Sequence, residues 1–135
     1  MRSTRLAVVC LAALALIHAL PLAGLAGATA LREGYGLGPL DHSTALLLQH
    51  RALMFGLLAA GLLGSTLRPA IRGPILLATV ISDLGFVLLA WPWNTLAEGL
   101  RPVLAGDLVA LPIAALAAWS SRLPRPGAGA TRPEG

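Results

Sequence analysis

Residues 6–26 read LAVVCLAALALIHALPLAGLA, an apolar run in which Cys10 and His18 are the only ionisable side chains. At about 1.5 Å per residue, a helix of this length crosses the roughly 30 Å hydrocarbon layer of a bilayer. The run therefore predicts a membrane-spanning helix, and the rest of the chain repeats the pattern.

Three more apolar runs follow, at about 44–67, 70–91 and 102–119. Asp41 and Ser43 suit the cap of the second helix, and Pro102 suits the opening turn of the fourth. The sequence thus predicts an all-α fold, a four-transmembrane-helix bundle in residues 1–121. Residues 122–135 are rich in Pro and Gly with little to bury, which is typical of a disordered tail. The loop at about 28–43 is too short for a domain, and we expect its segment at 35–39 to dock on the bundle mouth.

The amino-acid composition argues against a soluble globular domain and against a nucleic-acid-binding protein. The 135 residues are 56% hydrophobic and only 12% charged, the wrong mixture for a soluble globular domain. The basic residues are all arginine and lie mostly at the ends of the hydrophobic runs, without the stacking aromatics of a nucleic-acid surface. We therefore predict the lipid bilayer as the main partner and no nucleic acid.

The arginines also indicate orientation, because cytoplasmic loops of membrane proteins are enriched in basic residues. Seven fall on the N-terminal side of the membrane, and two, Arg32 and Arg101, fall on the other side. Both termini are therefore predicted to be cytoplasmic, in a multi-pass protein of a bacterial inner membrane. The seven are Arg2, Arg5, Arg68, Arg72, Arg122, Arg125 and Arg132.

The oligomeric state stays open, because Ala52, Gly56, Ala60 and Gly64 form a small-residue stripe of the kind that lets helices pack closely. A homodimer or a small membrane complex is compatible with that stripe.

A secretory signal is the competing interpretation of the first run. Arg2 and Arg5 precede the apolar stretch, and Ala28-Thr29-Ala30 resembles a cleavage site. Cleavage after Ala30 would leave three spans. Retention is favoured, because the run is long for a signal sequence and contains His18 and Pro21.

Five ionisable side chains fall within the predicted spans: His18, His50, Arg51, Asp83 and Asp107. Counted from the outer ends of their helices, all lie about 9–15 Å deep. We therefore predict a buried polar layer in the outer half of the bundle. Arg51 paired with Asp83, Asp107 or both is the expected ion pair, because an unpaired charge in lipid is costly.

Two interpretations of this layer remain open. It is structural if the histidines only join helices and Arg51 reaches up to the headgroups. It is functional if it binds a small polar ligand or a proton, a role that intramembrane charges often have.

The sequence contains no H-E-x-x-H motif, phosphate-binding glycine loop or G-x-S-x-G motif, so no catalytic residue, metal or cofactor is predicted. The alternative is a membrane-embedded enzyme or redox subunit, with His18 and His50 as haem ligands.

Three segments carry a resemblance to other proteins: LIHALPL at 16–22, QHRALMFG at 49–56 and GDLVAL at 106–111. With them, the chain resembles a family of small bacterial four-helix membrane proteins of uncharacterised activity, marked by a QHRAxxFG motif. Such chains are sometimes labelled phosphopantetheine adenylyltransferase. That enzyme family is soluble and α/β with a T/H-x-G-H motif, and no histidine here follows a glycine. The resemblance therefore implies the four-helix fold and no activity.

Overall fold

The computed structural model describes the backbone of residues 2–122 and the side chains of residues 5–122. That part of the chain forms five α-helices and contains no strand. The helices are α1 (Arg2–Ala19), α2 (Ala28–Tyr35), α3 (His42–Leu67), α4 (Arg72–Leu89) and α5 (Arg101–Arg122). Most of the tail predicted to be disordered lies at 123–135, outside the described residues.

Four stretches are long and apolar enough to cross a membrane, which confirms the predicted all-α bundle and makes this a multi-pass membrane protein. They are Arg5–Ala26, His42–Leu67, Pro69–Leu89 and Glu98–Arg122. The first joins α1 to a 3-10 segment, Leu20–Ala26, that carries Pro21 in its first turn. Proline lacks the N–H that would continue the α-helical ladder, so the helix tightens at this point.

The four spans form a square in cross-section. α1 packs against α3 and α5, and α4 packs against the same two helices. α1 and α4 therefore face each other across a diagonal. Each brings its buried face to the centre, so a long side chain of α1 can reach α4 without direct packing of the two backbones.

The core between the spans is built from leucine and alanine, while other leucines cover the outside. Leu11, Leu14, Leu62, Ala110 and Ala114 are fully buried. Many leucines and isoleucines on the outer faces are exposed, as expected for side chains in lipid.

The small-residue stripe on α3 is only partly buried within the bundle. Ala60 of the stripe is exposed, whereas Ala45, Ala52 and Ala59 are buried. These three recur every seventh residue, which keeps one side of the helix against its neighbours.

The short helix α2 folds back over one end of the bundle, which we call the α2 end. Its Leu31 is buried and packs against Gly24, where an added Cβ would lie 2.6 Å from the leucine Cδ2. Gly36 ends the helix with a φ of 60°, a left-handed conformation that favours glycine. Beyond it, Gly99 lies so close to the Tyr35 carbonyl that any Cβ there would overlap it. The segment that docks is thus mainly the helix at 28–35, and of the predicted segment 35–39 it is Tyr35 and Gly36 that contact Gly99.

The opposite end of the bundle, the arginine end, holds a buried basic residue. Arg72 donates from Nε to the carbonyl of Ser65 at 2.8 Å and from Nη2 to the carbonyl of Thr66 at 3.2 Å. These carbonyls belong to the last turn of α3, which has no helical donors for them. Arg72 therefore joins α4 to the end of α3, in addition to its predicted role as a topology signal.

Candidate functional site

A buried histidine–aspartate pair lies at the centre of the bundle. His18 of α1 and Asp83 of α4 are 1% and 0% exposed, and the distance from Nε2 to Oδ1 is 3.0 Å. The contact crosses the diagonal of the square. The other ring nitrogen, Nδ1, lies 2.9 Å from the carbonyl oxygen of Leu14, one turn earlier in α1.

This geometry defines how many protons the pair holds. A carbonyl oxygen only accepts hydrogen bonds, so Nδ1 must carry a hydrogen. The contact between Nε2 and Asp83 then needs its own proton, on one partner or the other. The pair is therefore either imidazolium with carboxylate or imidazole with carboxylic acid. In both forms it holds one shared proton and has no net charge.

Asp107 of α5 lies beside this pair and forms no hydrogen bond with the residues that the structure describes. It is 4% exposed, and its Oδ2 is buried with no partner among the described residues. Asp83, Arg51 and His18 are the ionisable groups whose electrostatic fields reach it. A buried carboxylate oxygen without a donor costs about 1–3 kcal/mol or more, so Asp107 is the least satisfied group of the layer.

A cavity of about 230 Å³ opens onto Asp107 and His18. Its walls come from the end of α1 with the following 3-10 segment, from α5 and from Phe55 of α3, and α2 forms its roof. Besides His18 and Asp107, Tyr35 is the one polar side chain in this lining. The site is thus a mainly apolar cavity with His18 and Asp107 as the polar groups at its base.

Arg51 does not form the ion pair that we predicted. Within the described residues the one pair of a basic and an acidic side chain within 4.0 Å is His18 with Asp83. Arg51 is half-buried, with its guanidinium carbon 5.1 Å from the ring centre of Phe55 and 4.8 Å from that of Phe86. Aromatic faces attract a cation, by about 2 kcal/mol where water is excluded, and replace the carboxylate as its neighbour.

His50 is the predicted site residue that the structure does not bring to the layer. It is exposed on α3 and is not part of the cavity lining. Successive residues of a helix point about 100° apart, so His50 and Arg51 share a depth without sharing a direction. His18, Asp83 and Asp107 do come together, with Arg51 at the edge.

Phe55 is the part of the site that the sequence analysis missed. Phe55 stacks on the His18 ring at 5.5 Å between centres, and it also contacts Arg51. It follows Arg51 by four residues and Phe86 follows Asp83 by three, spacings that place each pair on one helical face. That spacing was the available signal.

The described residues contain no group of three or more His, Cys, Asp or Glu side chains arranged to hold a metal ion. Haem ligation by the two histidines has little support in this geometry. Both nitrogens of His18 face oxygen atoms, and His50 is exposed on α3.

Comparisons with protein-family models, curated proteins and solved structures found no match for this chain.

Proposed function

We propose that the protein binds a small, uncharged, hydroxyl-bearing molecule in the cavity above Asp107. The observation that supports this most directly is that Asp107, a buried carboxylate whose Oδ2 has no partner among the described residues, lines an apolar cavity. Ligand pockets typically combine apolar walls with a few polar groups that orient the ligand. The role of Asp107 is to accept a hydrogen bond from the polar end of the molecule.

The charge balance of the layer favours an uncharged ligand. The His18–Asp83 pair is neutral because it shares one proton, and the proposal takes Asp107 as ionised, so that its charge and that of Arg51 balance. A neutral donor satisfies Asp107 without adding charge, whereas a bound ion would add a charge that nothing nearby compensates. A hydroxyl group is the simplest donor of this kind.

The cavity volume favours a ligand the size of one ring. An apolar cavity of about 150 Å³ accommodates benzene, so about 230 Å³ leaves room for a ring with a polar substituent. Phe55 and Tyr35 supply aromatic surface in the lining. Phenol is therefore a suitable probe, with toluene as a match in size that lacks the donor.

The test compares phenol, toluene and benzoate as stabilisers of the purified full chain in thermal unfolding. Phenol should bind about 10–100-fold more tightly than toluene, the factor for one hydrogen bond of about 1.5–3 kcal/mol to a charged acceptor. Asp107→Leu should abolish this preference, and benzoate should bind weakly to the native chain.

Two further variants make the result specific to the cavity. Val103→Trp, which fills the chamber from α5, should reduce phenol and toluene binding together. Glu98→Gln removes a carboxylate outside the lining and should change nothing. Equal binding of phenol and toluene to the native protein would contradict the proposal.

Proton binding is a second candidate function, favoured by the hydrogen-bond geometry of His18. Nitrogen NMR of isotopically labelled protein should find a hydrogen on Nδ1 and a shared proton at Nε2. A neutral ring with hydrogen on Nε2 alone would contradict this assignment.

A membrane-embedded enzyme or redox subunit is the alternative. Asp107→Asn would then abolish catalytic activity, and a bound haem would give Soret absorption.

The setting that we propose is a bacterial inner membrane, with both termini in the cytoplasm. Its support is the count of arginines, since Arg5, Arg68, Arg72 and Arg122 lie at the arginine end. The α2 end and the cavity then face outward.

A homodimer or a small membrane complex is part of the same proposal, because Ala60 is left exposed on α3. The resemblance to QHRAxxFG proteins likewise stays a proposal.

A further inference from the structure

We propose a second binding site, at the arginine end, for one acyl chain and the phosphate of an anionic phospholipid. A groove of about 420 Å³ lies between α4 and α5, far from the cavity at the α2 end. Arg72, Ser121 and Arg122 line one end of it, and apolar residues such as Leu77, Val80 and Ala115 line the rest.

The basic end of the groove carries positive charge without a nearby carboxylate. Arg72 and Arg122 have no acidic partner within 4.0 Å among the described residues. Both acceptors of Arg72 are backbone carbonyls, which fix its direction and leave it without a carboxylate partner. The described acidic residues lie toward the α2 end. A phosphate group, with its charge and several acceptor oxygens, complements two guanidinium groups.

The length of the groove matches one leaflet. From Arg72 to Val80 on α4 is about 12 Å, and from Leu111 to Arg122 on α5 is about 16 Å. Half of the roughly 30 Å hydrocarbon layer is about 15 Å. A phosphate held by the arginines therefore places its acyl chain along the groove as far as the middle of the membrane.

The shape of the groove comes from small side chains. Leu76 and Ala114 are buried, while Leu77 and Ala115 are exposed at its edges. Alanines at 114, 115 and 118 leave the space on α5 that larger residues would fill. The depression opens toward lipid. An acyl chain is the apolar occupant already present at high concentration there, and basic sites between helices are known to take anionic headgroups.

The experiment is native mass spectrometry of the full chain with phosphatidylglycerol and with phosphatidylcholine of identical acyl chains. Phosphatidylglycerol should remain bound at concentrations at which phosphatidylcholine does not. Arg122→Gln should weaken its binding about five-fold, the factor for removing one basic residue near an anionic headgroup. Arg101→Gln, at the opposite end, is the matched control and should have no effect.

A variant of the groove separates lipid from free phosphate. Ala115→Phe fills the apolar part and leaves both arginines in place, so it should reduce phosphatidylglycerol binding as strongly as Arg122→Gln. Arg122 is the better target than Arg72, whose loss would also disturb the end of α3. Three results would overturn the proposal: equal retention of the two lipids, indifference to Ala115→Phe, or glycerol phosphate binding as tightly as the lipid.

Discussion

His18 and Asp83 depend on each other unequally. His18 retains its bond to the Leu14 carbonyl if Asp83 is lost, whereas Asp83 without His18 has no partner at either oxygen among the described residues. Removing one partner of a buried charged pair costs about 3–5 kcal/mol, mainly because the other stays buried and unpaired. The fold is therefore sensitive to the loss of either partner, and more sensitive to the loss of His18.

His18→Leu should lower the free energy of unfolding by about 3–5 kcal/mol, and Asp83→Leu should lower it less. The double variant should cost less than the sum of the two, since no unpaired group remains. Reversible unfolding of the four proteins in one detergent measures the coupling. Thr79→Val is the control, because within the described part of the chain the buried Thr79 hydroxyl bonds only to a carbonyl of its own helix. Additive losses would show that the pair has no energetic coupling.

Asp41 begins α3 as an N-cap, as the sequence predicted. Its carboxylate accepts hydrogen bonds from the Thr44 hydroxyl and from the backbone N–H groups of Thr44 and Ser43. Donation by Thr44 holds the pKa of Asp41 below its ordinary value of 3.8. A lowered pKa means that the cap stabilises the fold fully above pH 3.8 and less as the pH falls through the folded-state pKa.

Asp41→Ala should therefore lower the Tm at neutral pH, and the difference from the native protein should shrink below about pH 3.8. Thermal unfolding across this pH range provides the measurement. Asp41→Asn keeps an uncharged cap, so its Tm should lose the pH dependence that belongs to this carboxyl. A difference that grows on acidification would contradict the assignment.

Among the helices, α2 is the one that its own sequence did not reveal. It has eight residues, several of them polar, and lies between Gly27 and Gly36. An isolated helix of this length is unstable in water, so its order comes from packing on Gly24 and Gly99. Those contacts join parts of the chain that are far apart in sequence.

Gly99→Ala should undock α2, because the new Cβ would overlap the backbone carbonyl of Tyr35, and backbone is hard to displace. Faster hydrogen exchange across residues 28–35 and weaker phenol binding should follow. Gly38→Ala, which meets nothing within 4 Å, is the matched control. Unchanged exchange in Gly99→Ala would show that the roof does not depend on this contact.

The spans themselves were predictable from the sequence to within a few residues, because hydrophobic length needs no knowledge of neighbours. The depth of His18, Asp83 and Asp107 followed from counting. The direction in which each side chain points around its helix axis was not predicted correctly. His50 was placed in the polar layer together with Arg51, and the pairing of His18 with Asp83 was not foreseen. That pairing depends on which helices lie across the diagonal, which is a property of the assembled bundle.

At the scale of the whole molecule, the distribution of charge separates the two ends. The arginine end collects basic side chains, whereas most of the acidic ones lie toward the α2 end. The proposed orientation, the cavity opening outward and the lipid groove in the inner leaflet all depend on this polarity.

Cysteine accessibility in intact cells tests the orientation. With the buried Cys10 replaced, single cysteines at Gly38 and Asn94 should react with an impermeant reagent. Cysteines at Ala70 and Ser121, exposed at the other end, should react only after permeabilisation. The reverse pattern would invert the topology, and a chain shortened at Ala30 would mean that the first helix is removed.

The diagonal pair also has a consequence for biogenesis. His18 and Asp83 are separated by 65 positions, and ribosomes add about 5–20 residues per second. The first span therefore exists for several seconds before its partner is synthesised, with a polar ring that lipid does not solvate well. We therefore expect stable release of α1 into the bilayer to follow synthesis of the third span, which supplies the hydrogen-bond partner of His18.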